Sequence, residues 1–367
     1  MTTALLYSGM DQMLEAAELS RLLGRDVDSV KSEAVEGLRG STDADFVAVS
    51  VDQESDPSLM VKHVHPETDW VALFTDDIER RAVRLWSEGV FARMPSAVEP
   101  SVIACGEWAG GYGILMPHLG SEMLESHVPQ PAWMDEVILE AMAAMHASFW
   151  EDASLLDPAL GLCTIETQVK NISPRRVRQV YGDEPAWARW IIEGWEEALP
   201  EIIDPVLARD LQALVDDPRP IEAALASYPK TLVHGDVRPA NVGLSRNGGR
   251  KRCHFVDWGR AAYTAASVDL GWYLGFTAIE WPVDVEDRIA SYEDKLRAHL
   301  GGRLPADRWE QQREIGLLAG LLQSSLGCRA YWGVRWANTE GSDQFVETDL
   351  AALRTWAGRL RNTLDLL

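Results

Sequence analysis

The chain has 367 residues, 46% hydrophobic and 25% charged, a composition that supports a packed core and excludes an intrinsically disordered chain. Its 57 acidic residues against 34 basic ones give a formal net charge of −23, which argues against a nucleic-acid partner because binding phosphate backbones needs basic surface. Cys105, Cys163, Cys253 and Cys328 lack Cys-x-x-Cys spacing, no basic and apolar leader opens the sequence, and no apolar stretch is long enough for a bilayer, so a reduced, cytoplasmic protein without a membrane partner is expected.

In chain order, Met10 to Leu23 has helical spacing, with Met10, Met13, Leu14 and Ala17 on one side and Gly24 as the stop. Strands are expected at about Ser29 to Leu38, Asp45 to Val51 and Leu59 to His63, an antiparallel start. Lys62 lies in the last of these among apolar residues, where an unpaired ammonium is costly, so it needs an anion. Asp77 to Glu88 reads as a helix that offers Glu79 and Glu88 as acids. Gly113 to Gly120 is an apolar strand entering a glycine-marked turn, and Trp133 to Trp150 carries Met134, Ile138, Met145 and Phe149 at helical spacing. Helices are expected at Pro185 to Leu199 and Pro205 to Val215, where Trp187, Trp190 and Trp195 can be core or can stack on a ligand. Ile315 to Cys328 reads as a buried helix. The eight histidines are scattered, without the i, i+4 pairing of a zinc helix, and His146 reads as a structural residue.

The most informative segment is His234-Gly235-Asp236-Val237-Arg238-Pro239-Ala240-Asn241, followed by Val256-Asp257-Trp258-Gly259-Arg260. Between them, Val242 to Ser245 and Cys253 to Val256 read as strands joined across Asn247-Gly248-Gly249, a hairpin signal because the turn needs positive φ. Closing that hairpin brings Asn241 beside Asp257, so both can reach one cation. Magnesium-assisted phosphoryl transfer needs a carboxylate that orients the attacking hydroxyl and takes its proton, a task that suits Asp236, and oxygen ligands for the metal, which suits Asn241 and Asp257.

This segment resembles the aminoglycoside phosphotransferase and choline kinase superfamily, whose fold is similar to that of protein kinases; His-Gly-Asp and Asp-x-Gly-Arg stand where protein kinases carry His-Arg-Asp and Asp-Phe-Gly. The resemblance is specific from Leu232 to Leu274 and loose in the N-terminal part. It implies an α+β, two-lobed protein kinase-like fold. Residues 1–117 would form an N-lobe with an N-terminal helix, a small antiparallel nucleotide-binding sheet and one helix. Residues 118–367 would form a larger, mainly helical C-lobe with the catalytic loop, magnesium site and acceptor-binding helices.

Further roles follow from the resemblance. Lys62 would grip the nucleotide phosphates with Glu79 as its helix partner, although the helix can also be laid with Arg80 or Ala82 at that position. Gly40, Ser41 and Thr42 stand where a phosphate-binding loop would lie, and read equally as a plain turn. The backbone of Pro117 and Leu119 would receive the nucleotide base. Asp269 matches the acid that holds the catalytic loop's amides, and Arg238 can neutralise charge on the transferring phosphate. The reading is an ATP- or GTP-dependent, magnesium-using O-phosphotransferase acting on a small hydroxylated molecule: an aminoglycoside, amino sugar or amino alcohol; the acidic composition is compatible with a cationic acceptor and equally with solubility or adaptation to salt. The rivals are a nucleotide-binding pseudokinase or scaffold, disfavoured because Asp236, Asn241 and Asp257 are all present, and a protein kinase, disfavoured by His-Gly-Asp and the lack of an Ala-Pro-Glu segment. Oligomeric state is left open.

Overall fold

A computed structural model describes residues 6–35, 45–65, 67, 69–77, 80–170, 172–182, 186–247, 250–304, 306–323, 325–335 and 343–367. The chain forms two compact units. One comprises Met1–Leu124, Asp157–Leu162 and Asn241–Arg260; the other comprises Glu125–Leu156, Cys163–Ala240 and Ala261–Leu367.

The first unit opens with α1 (Met10–Met13) and α2 (Ala16–Leu23). The single helix expected here is two, interrupted at Leu14 and Glu15, and it ends at Gly24 in the left-handed region, φ 65°. Strands β1 (Val30–Ala34), β2 (Phe46–Val51) and β3 (Leu59–Val64) follow. Helices α3 (Trp70–Phe74) and α4 (Arg81–Ser87) come next, then β4 (Val98–Glu99), β5 (Ala104–Trp108) and β6 (Gly111–Pro117). Five of these strands make an antiparallel sheet in the order β1-β2-β3-β6-β5.

The two faces of that sheet have different jobs because side chains alternate along a strand. Leu59, Val61 and Leu115 pack on one face with Met13 and Leu19 of α1 and α2. Val64 and Ile114 face the other way, against Val83 of α4, and Lys62 shares their strand parity. Register pairs Lys62 with Ile114 and Phe46 with Lys62, so the ammonium starts from the centre of the sheet.

The unit is completed by the hairpin of strands Val242–Asn247 and Arg250–Phe255, whose register pairs Val242 with Phe255 and Asn247 with Arg250. β4 joins it in parallel. The expected hairpin therefore forms, with its turn at residues 248–249 outside the described residues.

The second unit is mainly helical. α5 (Ala132–Ser148) buries Ile138, Met142 and Met145, as its spacing predicts. The helix expected from Pro185 continues as Ala186–Glu193, a wide turn at Gly194–Ala198 and Leu199–Ile202. Trp195 is completely buried, whereas Trp187 and Trp190 are half-buried. Pro205–Asp216 forms where expected, capped by Asp204. The stretch from Ile315 is not one helix: Ala306–Leu322 ends before Gln323, and Ser325–Arg335 begins anew. The α+β class expected from the sequence holds, with a small antiparallel sheet in one unit and helices dominating the other. All four cysteines are buried, and no helix among the described residues is long and apolar enough to cross a membrane.

Candidate active site

In the first unit, strand β3 and the end of the hairpin deliver opposite charges to one place. Lys62 Nζ lies 3.0 Å from Asp257 Oδ2, with Lys62 only 7% exposed. The anion Lys62 requires thus includes Asp257. Glu79, its expected partner, lies outside the described residues, as do Gly40, Ser41 and Thr42. Glu88 is exposed at the end of α4.

Asp257 has φ 67°, a left-handed conformation unusual for a residue with a side chain. Its neighbours hold that turn. Trp258 is buried and its indole Nε1 donates to the Phe255 carbonyl at 3.0 Å and the Pro100 carbonyl at 3.2 Å. Asn241 is buried at the start of the hairpin, and the Val256 amide donates to its carbonyl at 3.1 Å, which sets Asn241 alongside the residue preceding Asp257. Closure of the hairpin thus brings the two positions together, as its turn residues imply.

The pocket containing Lys62 and Asp257 is further lined by Asp69, Asp77, Arg80 and the apolar Val64, Ile114 and Met116. Pro117 and Leu119 follow Met116 at the end of β6, where the His118 amide donates to the Ser58 carbonyl at 2.9 Å. Asp69 caps α3 by accepting from the Val71 and Ala72 amides at 2.9 and 3.3 Å. Burial pushes its carboxyl up, the Lys62 charge opposes that, and the Asp257 charge adds to it.

Asp77 Oδ1 accepts from the Arg81 amide at 2.7 Å, the first amide of α4, which begins at Arg81 and not at Asp77 as expected because Arg80 before it is in the left-handed region. Burial raises the Asp77 carboxyl too, with Arg81 opposing. The Arg81 guanidinium is 2% exposed and ties this helix to the turn: it donates to the Gly161 carbonyl at 2.5 Å, to Thr75 Oγ1 and the Thr75 carbonyl at 3.2 Å each, and to the Gly259 carbonyl.

Sequence reasoning missed the roles of Asp69, Asp77 and Arg81. An Asp directly before an apolar run is an N-cap signal that marks Asp69. For Arg81 no local signal exists, because Glu79-Arg80-Arg81 reads like a solvated helix face.

The second unit holds the loop that follows the short strand Thr231–Val233. Both carboxylate oxygens of the fully buried Asp269 accept from this loop, the His234 amide at 2.7 Å and the Gly235 amide at 2.7 Å. Gly235 has φ 80°, a turn that suits glycine. The Asp236 amide donates back to His234 Nδ1 at 3.2 Å, and Arg238 Nε donates to Asp236 Oδ1 at 3.1 Å. Asp236 is 7% exposed and Arg238 half-buried.

Behind the loop, His146 places Nε2 at 3.2 Å from Asp269 Oδ2 and Nδ1 at 2.6 Å from the Tyr292 hydroxyl. A carboxylate can only accept, so His146 carries its proton on Nε2 and receives the phenol's on Nδ1. Burial, reinforced by the Asp269 charge, holds the Tyr292 phenol far above its ordinary range, so it stays a donor. His146 is thus a satisfied structural residue, as its sequence context indicated.

No curated protein matches the sequence. Among solved structures, the chain is similar to an ethanolamine kinase of Plasmodium vivax, at 14% identity over 94% of this chain and 85% of that one, with a TM-score of 0.48. It is also similar to aminoglycoside phosphotransferase APH(3'')-Id of Streptomyces rimosus, at 19% identity over 84% and 98%, TM-score 0.44. A third is choline kinase LicA of Streptococcus pneumoniae, at 12% identity over 96% and 99%, TM-score 0.42. With identities and scores this low, the family profile alone carries the assignment. That profile, of the phosphotransferase enzyme family, matches residues 35–305 and so takes in β2, β3, the Asp236 loop, the Asp257 turn and Asp269 alike. The chain belongs to the phosphotransferase enzyme family.

Proposed function

We propose that this enzyme transfers the terminal phosphoryl group of ATP or GTP to a hydroxyl of a small molecule, with amino sugars, aminoglycosides and amino alcohols as the acceptor class. The observation that carries the reading is the buried Lys62 ammonium 3.0 Å from an Asp257 carboxylate held in a left-handed turn. A lysine buried in a sheet beside a strained acid is a costly arrangement, and phosphate with a divalent cation is the ligand chemistry that uses both charges.

Magnesium fits the donor set. The Asp257 carboxylate and the Asn241 side-chain carbonyl are hard oxygen donors, and magnesium is ordinarily held by one or two such groups plus phosphate oxygens and water. When bound, it would neutralise charge on the phosphates. Asp236 orients the acceptor hydroxyl and takes its proton, while Arg238, bonded to that carboxylate, fixes its rotamer and offers a guanidinium to the transferring group. Lys62 grips the nucleotide phosphates, and the backbone near Pro117 and Leu119 receives the base.

The test is turnover of ATP and GTP against a panel of amino alcohols, sugars, aminoglycosides and a generic peptide. Asp236→Asn should lose about 10²–10⁴-fold or more in transfer while keeping nucleotide affinity. Asp257→Ala should raise the magnesium requirement of nucleotide binding or abolish activity. Near-wild-type turnover by a folded Asp236→Asn protein would overturn the assignment.

A further inference from the structure

Two adjacent arginines open α4, both almost fully buried, and their donors are spent differently. Arg81 distributes its guanidinium over Gly161, Thr75 and Gly259, an arrangement that holds structure together. Arg80 is 4% exposed, donates from Nη1 to the Asp77 carbonyl, and has a buried Nε without a hydrogen-bond partner.

The Arg80 charge acts on the adjacent Asp77 carboxyl, but its one hydrogen bond goes to the Asp77 backbone carbonyl, while Asp77 Oδ1 accepts from the Arg81 amide. Arg80 also sits at φ 58°, a left-handed conformation that a side-chain-bearing residue adopts only when its surroundings impose it. It lines the same pocket as Lys62, Asp69 and Asp257. A buried guanidinium with a spare donor, in the same pocket as a buried ammonium, is a second cation in a place where one was expected.

We infer that Arg80 is a phosphate-binding residue, and that its guanidinium and the Lys62 ammonium together take the polyphosphate of a nucleoside triphosphate. The two cations suit different tasks. An ammonium is a compact point charge, while a guanidinium presents a planar fork that pairs with two phosphate oxygens at once. Asp69, Asp77 and Asp257 line the same pocket, and Arg80 offsets part of the negative charge they bring to it. This inference rests on the nucleotide reading of the pocket given above.

The experiment is calorimetry on the full chain with magnesium present, comparing ATP and GTP with adenosine and guanosine. Arg80→Gln should weaken the preferred triphosphate about 10-fold or more, the range for losing a hydrogen bond to a charged group, and should leave its nucleoside within about two-fold. Arg80→Lys, which keeps the charge and loses the fork, should fall between wild type and Arg80→Gln, and it serves as the readout should Arg80→Gln fail to fold. Equal losses for triphosphate and nucleoside, or a triphosphate affinity unchanged in both variants, would overturn the inference while leaving the nucleotide reading in place. Wild-type protein that binds neither ATP nor GTP would overturn both.

Discussion

At the scale of single residues, Asp269 shows how one buried carboxylate can set the geometry of a site it does not enter. Its two oxygens receive two consecutive amides, and one of them also receives His146, so all its accepting capacity on that side is directional. Asp269→Asn replaces one acceptor oxygen by an amide nitrogen and so leaves one of the two backbone N–H groups facing a donor. The expected cost is about 1–3 kcal/mol in unfolding free energy. Transfer should fall about 10-fold or more in kcat, because Asp236 follows the released amides directly, with nucleotide affinity unchanged. Melting curves and steady-state kinetics check this; a lowered melting temperature with unaltered kcat would show that the clamp stabilises the loop without positioning Asp236.

At the scale of elements, the helix that carries Asp269, Ser267–Phe276, is seated by glycine on both sides of its contact with Ala306–Leu322. A Cβ on Gly271 would stand 2.8 Å from Leu317 Cα and closer still to the Leu317 carbonyl, and a Cβ on Gly320 would collide with the Val268 carbonyl. The backbones therefore approach too closely to admit a side chain at either glycine. Gly271→Ala cannot be absorbed by a flexible side chain, since the obstacle is backbone, so the helices must separate. Overpacking of this kind costs about 1–3 kcal/mol. Denaturant unfolding should show a lowered midpoint, and kcat should fall along with stability because Asp269 shifts with its helix. A midpoint equal to wild type would mean that the crossing relaxes freely.

Elements also divide what could be read from the sequence. The Val242–Asn247 and Arg250–Phe255 hairpin was legible because its turn chemistry and alternation are local, and the adjacency of Asn241 and Asp257 followed from its closure. Asp269's grip on the loop was legible only through the resemblance, since nothing in the residues between Asp236 and Asp269 fixes that pairing. α4 starts at Arg81 and not at Asp77 because Arg80 turns left-handed before it and Asp77 takes up its first amide, contacts that no local residue pattern marks. Lys62's need for an anion was legible from its apolar strand, but its pairing with Asp257 joins residues far apart in the chain. Arg80 and Arg81 look alike in sequence and differ only in what surrounds them.

At the scale of the whole molecule, the charge of −23 is a property no single site explains, and it bears on which acceptors reach the enzyme. Negative potential raises the local concentration of cations and speeds their capture, whereas it leaves a neutral sugar unaffected. Acids preceding and within the segment before the Thr231–Val233 strand include the exposed Glu151 and Asp157 and the half-buried Asp152; Asp183 and Glu184 lie outside the described residues. Glu151 is placed at φ 55°, and burial, with the Glu151 charge after it, raises the neighbouring Tyr263 phenol above its ordinary range. If the acceptor is a polyamine sugar or an amino alcohol, kcat/KM should decline with added salt much more steeply than for an uncharged analogue, because screening acts over about 10 Å at 0.1 M ionic strength. The loss should lie in kcat/KM and spare kcat, since steering acts on encounter and not on the bound complex. Parallel salt titrations with a cationic acceptor and its neutral counterpart measure the difference. Equal slopes, or a preference for the neutral acceptor at every ionic strength, would exclude cation steering and would leave the roles proposed for Asp236 and Asp257 untouched.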